Sequence, residues 1–445
     1  MFARSYGLRG KAPSFPRPMQ KRKRRRPTVA PMFPPAPNWP RDETALLTET
    51  DPPLSLLLWQ RARDVRLWAV AGDGGRGGLF AGQESVESDL EVGEGVADGL
   101  SAPLRTLRAL VRFPELVTAA DLRTACLAVS EWAEGEHMPE TALHFAEAAA
   151  LADPTSAHAA AVAGSACTAL AADQRAEVWL TRAIRTARRM RDWEWYIRAH
   201  LRMGMLAYEL GHLTRARRAF HRAQWAAVWA GYKMYAAKAH HDLLLVECSC
   251  GTYEVGERHA RLALELHPAR FPRLPYLAHD VAYLLTCHGA YSDALDLLDA
   301  TLPHLVRPWE RAAVLGTVAK AAAGAGYRER HAEAIADLLL LESTADSYAA
   351  AALVLAAEGA ALLGEAERAR RLAARALELA ERRREREAQR RARRVLDGER
   401  DQPRVPPVAR TAALRALFVD RLRELRASGD GAGVDLQQFT MSGRS

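Results

Sequence analysis

The chain has 445 residues, 49% of them apolar, and 62 Lys and Arg against 54 Asp and Glu, for a formal net charge of +8. That is enough apolar material for a core, and it excludes a wholly disordered polyelectrolyte. No apolar run reaches the roughly 18 residues of a membrane span, and the basic run Lys21–Arg26 leads into prolines instead of the apolar stretch of a signal peptide. The five cysteines (Cys126, Cys167, Cys248, Cys250 and Cys287) are an odd set without a disulfide framework, so a reducing, cytoplasmic setting is expected.

Residues 1–45, rich in Pro, Arg and Lys, are expected to be disordered. KRKRRR at 21–26 could serve nuclear import or nucleic-acid binding, but a solvated basic tail is the plainer reading. The arginine- and alanine-rich usage looks bacterial. Residues 46–121 are expected to form a helical cap, or an arm lying on the helices after residue 121. Leu54, Leu57, Leu58, Val65 and Trp68 fall at helical spacing after Pro52 and Pro53. GDGGRGGLFAG at 72–82 breaks that helix, the acidic stretch 83–99 reads as a linker, and another helix is expected at about 102–111.

From about Arg123 one spacing recurs. Its clearest copy is Ala237–Pro268, in which Gly251 is followed by Gly256, Ala260, Ala263 and Pro268. The same ladder returns as Gly211, Ala216, Phe220, Ala223; as Gly289, Ala294, Leu298, Thr301; and as Gly364, Ala369, Ala373, Ala376. Two earlier copies, Ala142, Ala146, Ala149 and Ala176, Leu180, Ala183, lack the turn glycine. A weaker one is Gly326, Ile335, Leu338, with His331 where a small residue is expected. The turn positions are His137, Ala171, Gly211, Gly251, Gly289, Gly326 and Gly364, separated by 34, 40, 40, 38, 37 and 38 residues. Glycine ends a first helix because it reaches positive φ without steric cost. Small residues three and four apart let a second helix approach closely. A lone pair cannot bury its apolar face, so neighbours must stack, and a period of roughly 20–50 residues marks such a stack.

These residues resemble the tetratricopeptide repeat over about 120–385, in a long-repeat bacterial variant. The resemblance implies an all-α, right-handed solenoid of about six to seven hairpins over 122–381, with a disordered basic N-terminus and a helical C-terminal cap. Arg188–Tyr196 is expected to lengthen a second helix. AERRREREAQRRARRVL is expected to continue the last one as an arginine-rich extension over 382–402, ended by Pro403, Pro406 and Pro407. An amphipathic helix at Ala409–Leu425 within 403–445 is expected to cap the open end, before a loose tail from Ser428.

In that family the first helices line a concave groove. Counting along them brings Arg198, Leu201, Met205 and Tyr208 to the groove, then Lys238, His241, Leu245 and Cys248, then Tyr276, His279, Tyr283 and Thr286. Of these, Arg198, Met205, Tyr208, Lys238, His241, Tyr276, His279 and Tyr283 are the candidate partner-binding residues. They suit a peptide or protein segment with acidic character, since Arg can make bidentate contacts and Tyr can stack; alternatively they pack against the chain's own tail. His240, His241, Cys248 and Cys250 invite a metal reading, but Cys-Ser-Cys is not the spacing of a zinc site. Trp179, Trp193, Trp195, Trp225 and Trp229 are read as wedges at or near second helices. Second-helix arginines such as Arg185, Arg218 and Arg222 are read as a solvated outer face; nucleic acid, if bound, would meet the arginine-rich ends. No phosphate loop, GxSxG or HExxH appears. The expectation is a non-enzymatic interaction scaffold without cofactor or metal; the alternative is a ligand-sensing regulator of transcription or signalling.

Overall fold

The computed structural model describes residues 44–81, 99–268, 271, 273–342, 348–399 and 406–427, and those residues form helices and no strand. The chain divides after Thr44, and the helices belong to the unit from Ala45. The expectations for the N-terminal tail, the linker 83–99 and the tail from Ser428 fall almost wholly outside the described residues.

A 3-10 turn at Ala45–Thr48 leads into α1 (Pro52–Gly75), which lies on α4 (Pro139–Ala152). The Glu49 carboxylate accepts from the free N–H groups of Glu140 and Thr141 at 2.8 Å each, so the leading segment caps α4. Trp68 is buried against this junction and donates from Nε1 to the Pro114 carbonyl at 2.8 Å. α2 (Ser101–Arg112) packs on α3 (Ala119–Gly135), which pairs with α4.

Six more hairpins follow: α5 (Ala157–Ala169) with α6 (Asp173–Met190), α7 (Trp193–Glu209) with α8 (Leu213–Ala230), α9 (Lys233–Cys250) with α10 (Tyr253–Leu266), α11 (Leu274–Cys287) with α12 (Tyr291–Thr301), α13 (Pro308–Gly324) with α14 (Arg328–Leu341), and α15 (Ala349–Leu362) with α16 (Ala366–Arg383). Each second helix also touches the next first helix, and from α5 onward the first helices touch one another in sequence. That is the nearest-neighbour packing of a solenoid.

All seven expected turn positions have positive φ, from 52° at Ala171 to 81° at Gly326. At each, the next residue's N–H bonds to the carbonyl five residues back: Met138 to Ala133, Ala172 to Cys167, His212 to Ala207, Thr252 to Glu247, Ala290 to Leu285, Tyr327 to Ala322 and Glu365 to Ala360. This closure satisfies a carbonyl that the ended helix leaves open. His137 and Ala171 adopt it despite a Cβ, at about 1 kcal/mol each.

The ladder residues are the seams. Ala142, Ala146, Ala149, Ala176, Ala183, Ala216, Ala223, Ala260, Ala263, Ala294, Ala373 and Ala376 are at most 1% exposed. In the first helices Gly316 meets backbone: a Cβ there would stand 2.5 Å from the Ala352 Cα on α15, which cannot rotate aside. His331, the irregular rung, is fully buried, and its Nδ1 lies 2.8 Å from the Ala319 carbonyl. Its ring fits because position 359 is glycine; a Cβ there would sit 3.0 Å from His331 Cε1. Ala223→Leu and Ala263→Leu should each lower stability by about 1–3 kcal/mol through overpacking, read as a fall in Tm; an unchanged Tm for either would place that residue outside a seam.

Two expectations about helix length are corrected. The segment Arg188–Tyr196 does not extend α6: Arg191 takes φ 60°, and Asp192 caps α7 by accepting from the Trp195 N–H at 3.1 Å. Trp193 and Trp195 therefore head a first helix. Likewise α16 does not run on through the arginine-rich segment. Arg384 takes φ 58°, the Glu385 N–H bonds to the Ala380 carbonyl, and the chain folds back as α17 (Arg386–Leu396). The apolar face of α17 includes buried Ala388 and Ala392, four residues apart, enough to pack on α15 and α16. α18 (Val408–Ala427) buries Leu414, Phe418 and Leu422 on α11 and α12, in the middle of the stack instead of over its last pair. The acids of α12 select that place: Asp293 accepts from Thr411 and Asp296 from Arg415, each at 2.5 Å.

Candidate binding groove

The eight candidate residues lie on three successive first helices, α7, α9 and α11. Along α7 the partly exposed line is Trp195, Arg198, Arg202, Met205 and Tyr208, a helical stripe between buried Ile197, Leu201 and Leu206. Leu201, Cys248 and Thr286 were counted into the groove one position out of phase; they are 2%, 7% and 1% exposed and belong to the packing. Arg202 takes the place expected for Leu201.

Most candidates are already engaged across helices. Tyr208 Oη lies 3.2 Å from Ser249 Oγ. Lys238 pairs with Asp242 on its own helix. His241 Nε2 is 2.5 Å from the Asp280 carboxylate, and the neighbouring His279 places Nε2 3.0 Å from Thr317 Oγ1 on α13. Burial alone would raise the Asp280 carboxyl, but hydrogen bonds from His241 and His279 overrule it and hold it well below the usual range. Tyr276 donates to Glu310, and Tyr235 donates to Glu194 at 2.8 Å. Most of these links join residues 38 to 41 apart, one repeat, so the groove wall is a hydrogen-bonded ladder.

Beyond these residues stands a cluster outside the eight candidates. Glu358 on α15 accepts from Lys320 of α13 at 2.7 Å and from the Nε and Nη2 of Arg391 on α17 at 3.0 and 2.8 Å. The Arg391 guanidinium also stands 5.8 Å from the Tyr283 ring centroid. Burial opposes the charge of Glu358, yet Arg391 and Lys320 hold its carboxyl down to about 2. A signal existed: Lys320 and Glu358 are isolated charges within the alanine-rich runs 312–323 and 349–361, spaced 38 residues apart like the neighbouring turns.

α17 also closes the stack on itself. Arg384 donates to the Leu170 carbonyl at 2.8 Å, Arg390 to the Glu209 carbonyl at 3.1 Å, and Arg386 pairs with Asp173. The end of the last hairpin thus clasps the turns of the second and third, beside a cleft of about 300 Å³. Burial and Asp173 push the Glu209 carboxyl up to about 7, against the pull of Arg386.

Other features turn away from the groove. His240 Nδ1 lies 2.9 Å from His259 Nδ1, with His221 beyond, and Cys126, Cys167 and Cys248 are buried free thiols. Among the described residues no group of three His, Cys, Asp or Glu is arranged to hold a metal, and no helix is long and apolar enough to cross a membrane. Arg185, Arg218 and Arg222 are exposed on α6 and α8.

Seven hairpins of one period, each closed by a left-handed turn and packed on its neighbours through small side chains, define the architecture. The fold is a tetratricopeptide-like helical solenoid. Comparison with solved structures finds a tetratricopeptide repeat protein from Parabacteroides merdae, 16% identical, covering 61% of this chain and 99% of that one, with a TM-score of 0.43. It also finds the Rap conjugation gene regulator of the plasmid pLS20 in complex with the Phr* peptide, 14% identical, covering 84% and 99%, TM-score 0.43. A circular tandem repeat protein with novel repeat topology is 15% identical, covering 83% and 98%, TM-score 0.20. Neither a family model nor a curated protein sequence matches the chain.

Proposed function

We propose that this protein is a non-enzymatic interaction scaffold that takes an extended peptide, or a segment of a partner protein, along the first-helix wall. The observation that carries this reading is the stripe itself. Trp195, Arg198, Arg202, Met205 and Tyr208, then Tyr235, Lys238 and His241, then Tyr276, His279 and Tyr283, stay partly exposed on helices otherwise packed in the core. Aromatic faces and spaced hydrogen-bonding groups on a rigid, repeating wall suit main-chain and side-chain contacts of an extended ligand. The test is a peptide selected on the wild-type protein from a random display library. Its Kd, read by fluorescence anisotropy, should weaken at least tenfold in the double variant Tyr208→Ala/Tyr283→Ala. Unchanged affinity, with unchanged Tm, would remove the groove from the function.

A second reading, a ligand-sensing regulator of transcription or signalling, is favoured by the clasp. Arg384, Arg386 and Arg390 fasten the end of the stack to the turns of the second and third hairpins, next to the same wall. A ligand that displaced the clasp would change how the hairpins sit, and so pass on its presence. Were regulation to work through direct DNA contact, a gel shift with duplex DNA at low salt would show it, weakening steeply as salt is raised. No shift at low salt would remove direct DNA contact from this reading.

A further inference from the structure

Arg202 differs from the other cations of the wall. Arg123 pairs with Asp153, Lys238 with Asp242, and Lys320 and Arg391 share Glu358. Among the described residues Arg202 has no carboxylate partner, and its Nε and Nη1 are shielded from solvent and make no hydrogen bond. The Nε of Arg198, one turn earlier on α7, is idle in the same way. Both guanidinium groups face Trp195, that of Arg198 at 4.0 Å from the ring centroid and that of Arg202 at 5.8 Å. His158 of α5 stacks on the same indole at 4.1 Å and fixes it in place. Glu194 is already occupied, by Arg198 at 3.3 Å and by Tyr235 at 2.8 Å. Glu134 also favours the charge of Arg202.

A shielded donor without an acceptor costs free energy, and an unpaired charge costs more. Arg202 does not escape the cost by neutralisation. Burial, then the neighbouring Arg198, brings its guanidinium down to about 10, which leaves it charged at neutral pH. His158 yields instead: burial, then Arg198, Arg202 and Arg123, brings its imidazole down to about 4. The result is a small basin on the groove wall with two arginines, a neutral histidine and an aromatic floor, in which the Nε and Nη1 of Arg202 make no hydrogen bond.

We propose that Arg202, with Arg198 beside it, seats a carboxylate of the bound ligand, the side chain of an acidic residue in an extended peptide. This rests on the groove reading and gives it a chemistry. A guanidinium with idle donors calls for an acceptor, and its planar fork matches a carboxylate. The indole beneath keeps water from one face, which strengthens the contact.

The test uses the full chain and two fluorescein-labelled probes, hexaglutamate and hexaglutamine. Wild-type protein should bind hexaglutamate at least tenfold tighter than hexaglutamine. Arg202→Gln should abolish that preference, while Arg218→Gln, on the outer face, should leave it intact. Without peptide, Arg202→Met should raise Tm by several degrees, because an unpaired cation is replaced by a side chain that suits burial. An arginine with a purely structural role would lower Tm instead, and that outcome overturns the proposal. Equal hexaglutamate affinity in wild type and Arg202→Gln overturns it as well. If display-selected neutral peptides still bind and depend on Tyr208 and Tyr283, the groove stands and only the carboxylate seat falls. If no peptide of either kind binds, both fall.

Discussion

Glu358→Gln is expected to lower the free energy of unfolding by about 3–5 kcal/mol, the range for breaking a buried ion pair by removing one partner. Lys320, Glu358 and Arg391 have side chains only 10–17% exposed, and they tie α13, α15 and α17 together. The amide keeps the shape but not the charge, so it strands two shielded cations and turns one acceptor into a donor facing them. The size of the loss would come from the stranded charges and not from the worth of the cluster. The triple variant Lys320→Met/Glu358→Leu/Arg391→Met should accordingly recover most of it, or exceed wild type. Urea unfolding of the single and triple variants decides the point. A Glu358→Gln protein within about 0.5 kcal/mol of wild type would mean that water reaches the cluster and screens it.

Lowering the pH from 7 to 5 is expected to destabilise the protein by several kcal/mol. His200, His240, His259 and His267 are 4–7% exposed. Burial is the first cause in each case, with nearby cations or imidazoles second, and it brings His200 and His240 down to about 4 and His259 and His267 to about 3. In the unfolded chain each would titrate near about 6.5. Between those values the unfolded chain binds protons that the folded chain refuses. The stability is therefore complete above pH 6.5 and is lost as pH falls toward the folded values, at about 1.4 kcal/mol per group per pH unit. His240 and His259 share a hydrogen bond and would titrate as a pair. The contribution of Glu358 lies in a separate window, beginning below about 4.5 and lost toward 2. Urea midpoints at pH 7, 6 and 5 should fall in step, and His259→Phe should flatten the slope. A midpoint constant from pH 7 to 5 would mean these imidazoles are protonated as readily in the fold as out of it.

The clasp and the groove constrain each other. Tyr283, a candidate ligand contact, is already faced by Arg391, and the same helix fastens the far turns through Arg386 and Arg390. A peptide reaching Tyr283 from Arg202 therefore has to run alongside α17. On the proposed groove, the arginine-rich segment would be part of the binding wall, where the sequence suggested a solvated extension or a separate anion-binding end.

What the sequence determined by itself is what depends on residues within one repeat. Positive φ at His137 and Ala171, where no glycine stands, was legible because the ladder keeps phase around them. The burial of Ala223 and Ala263 followed from spacing three and four along a helix. Lys320 and Glu358 were legible in principle, as isolated charges in the alanine-rich runs 312–323 and 349–361, one period apart. The reversals at Arg191 and Arg384 were not, since arginine in a left-handed turn has no local signature. Tertiary structure alone decided where α17 and α18 land. The contacts that fasten them to the earlier hairpins include Thr411 to Asp293, 118 residues apart, and Arg390 to Glu209, 181 apart, and no periodicity relates the two ends of such a contact. It decided, too, that Arg202 is partly exposed and Leu201 buried: a helical stripe shifted by one residue turns by about 100°, and only the packed neighbours fix which of the two lies inside.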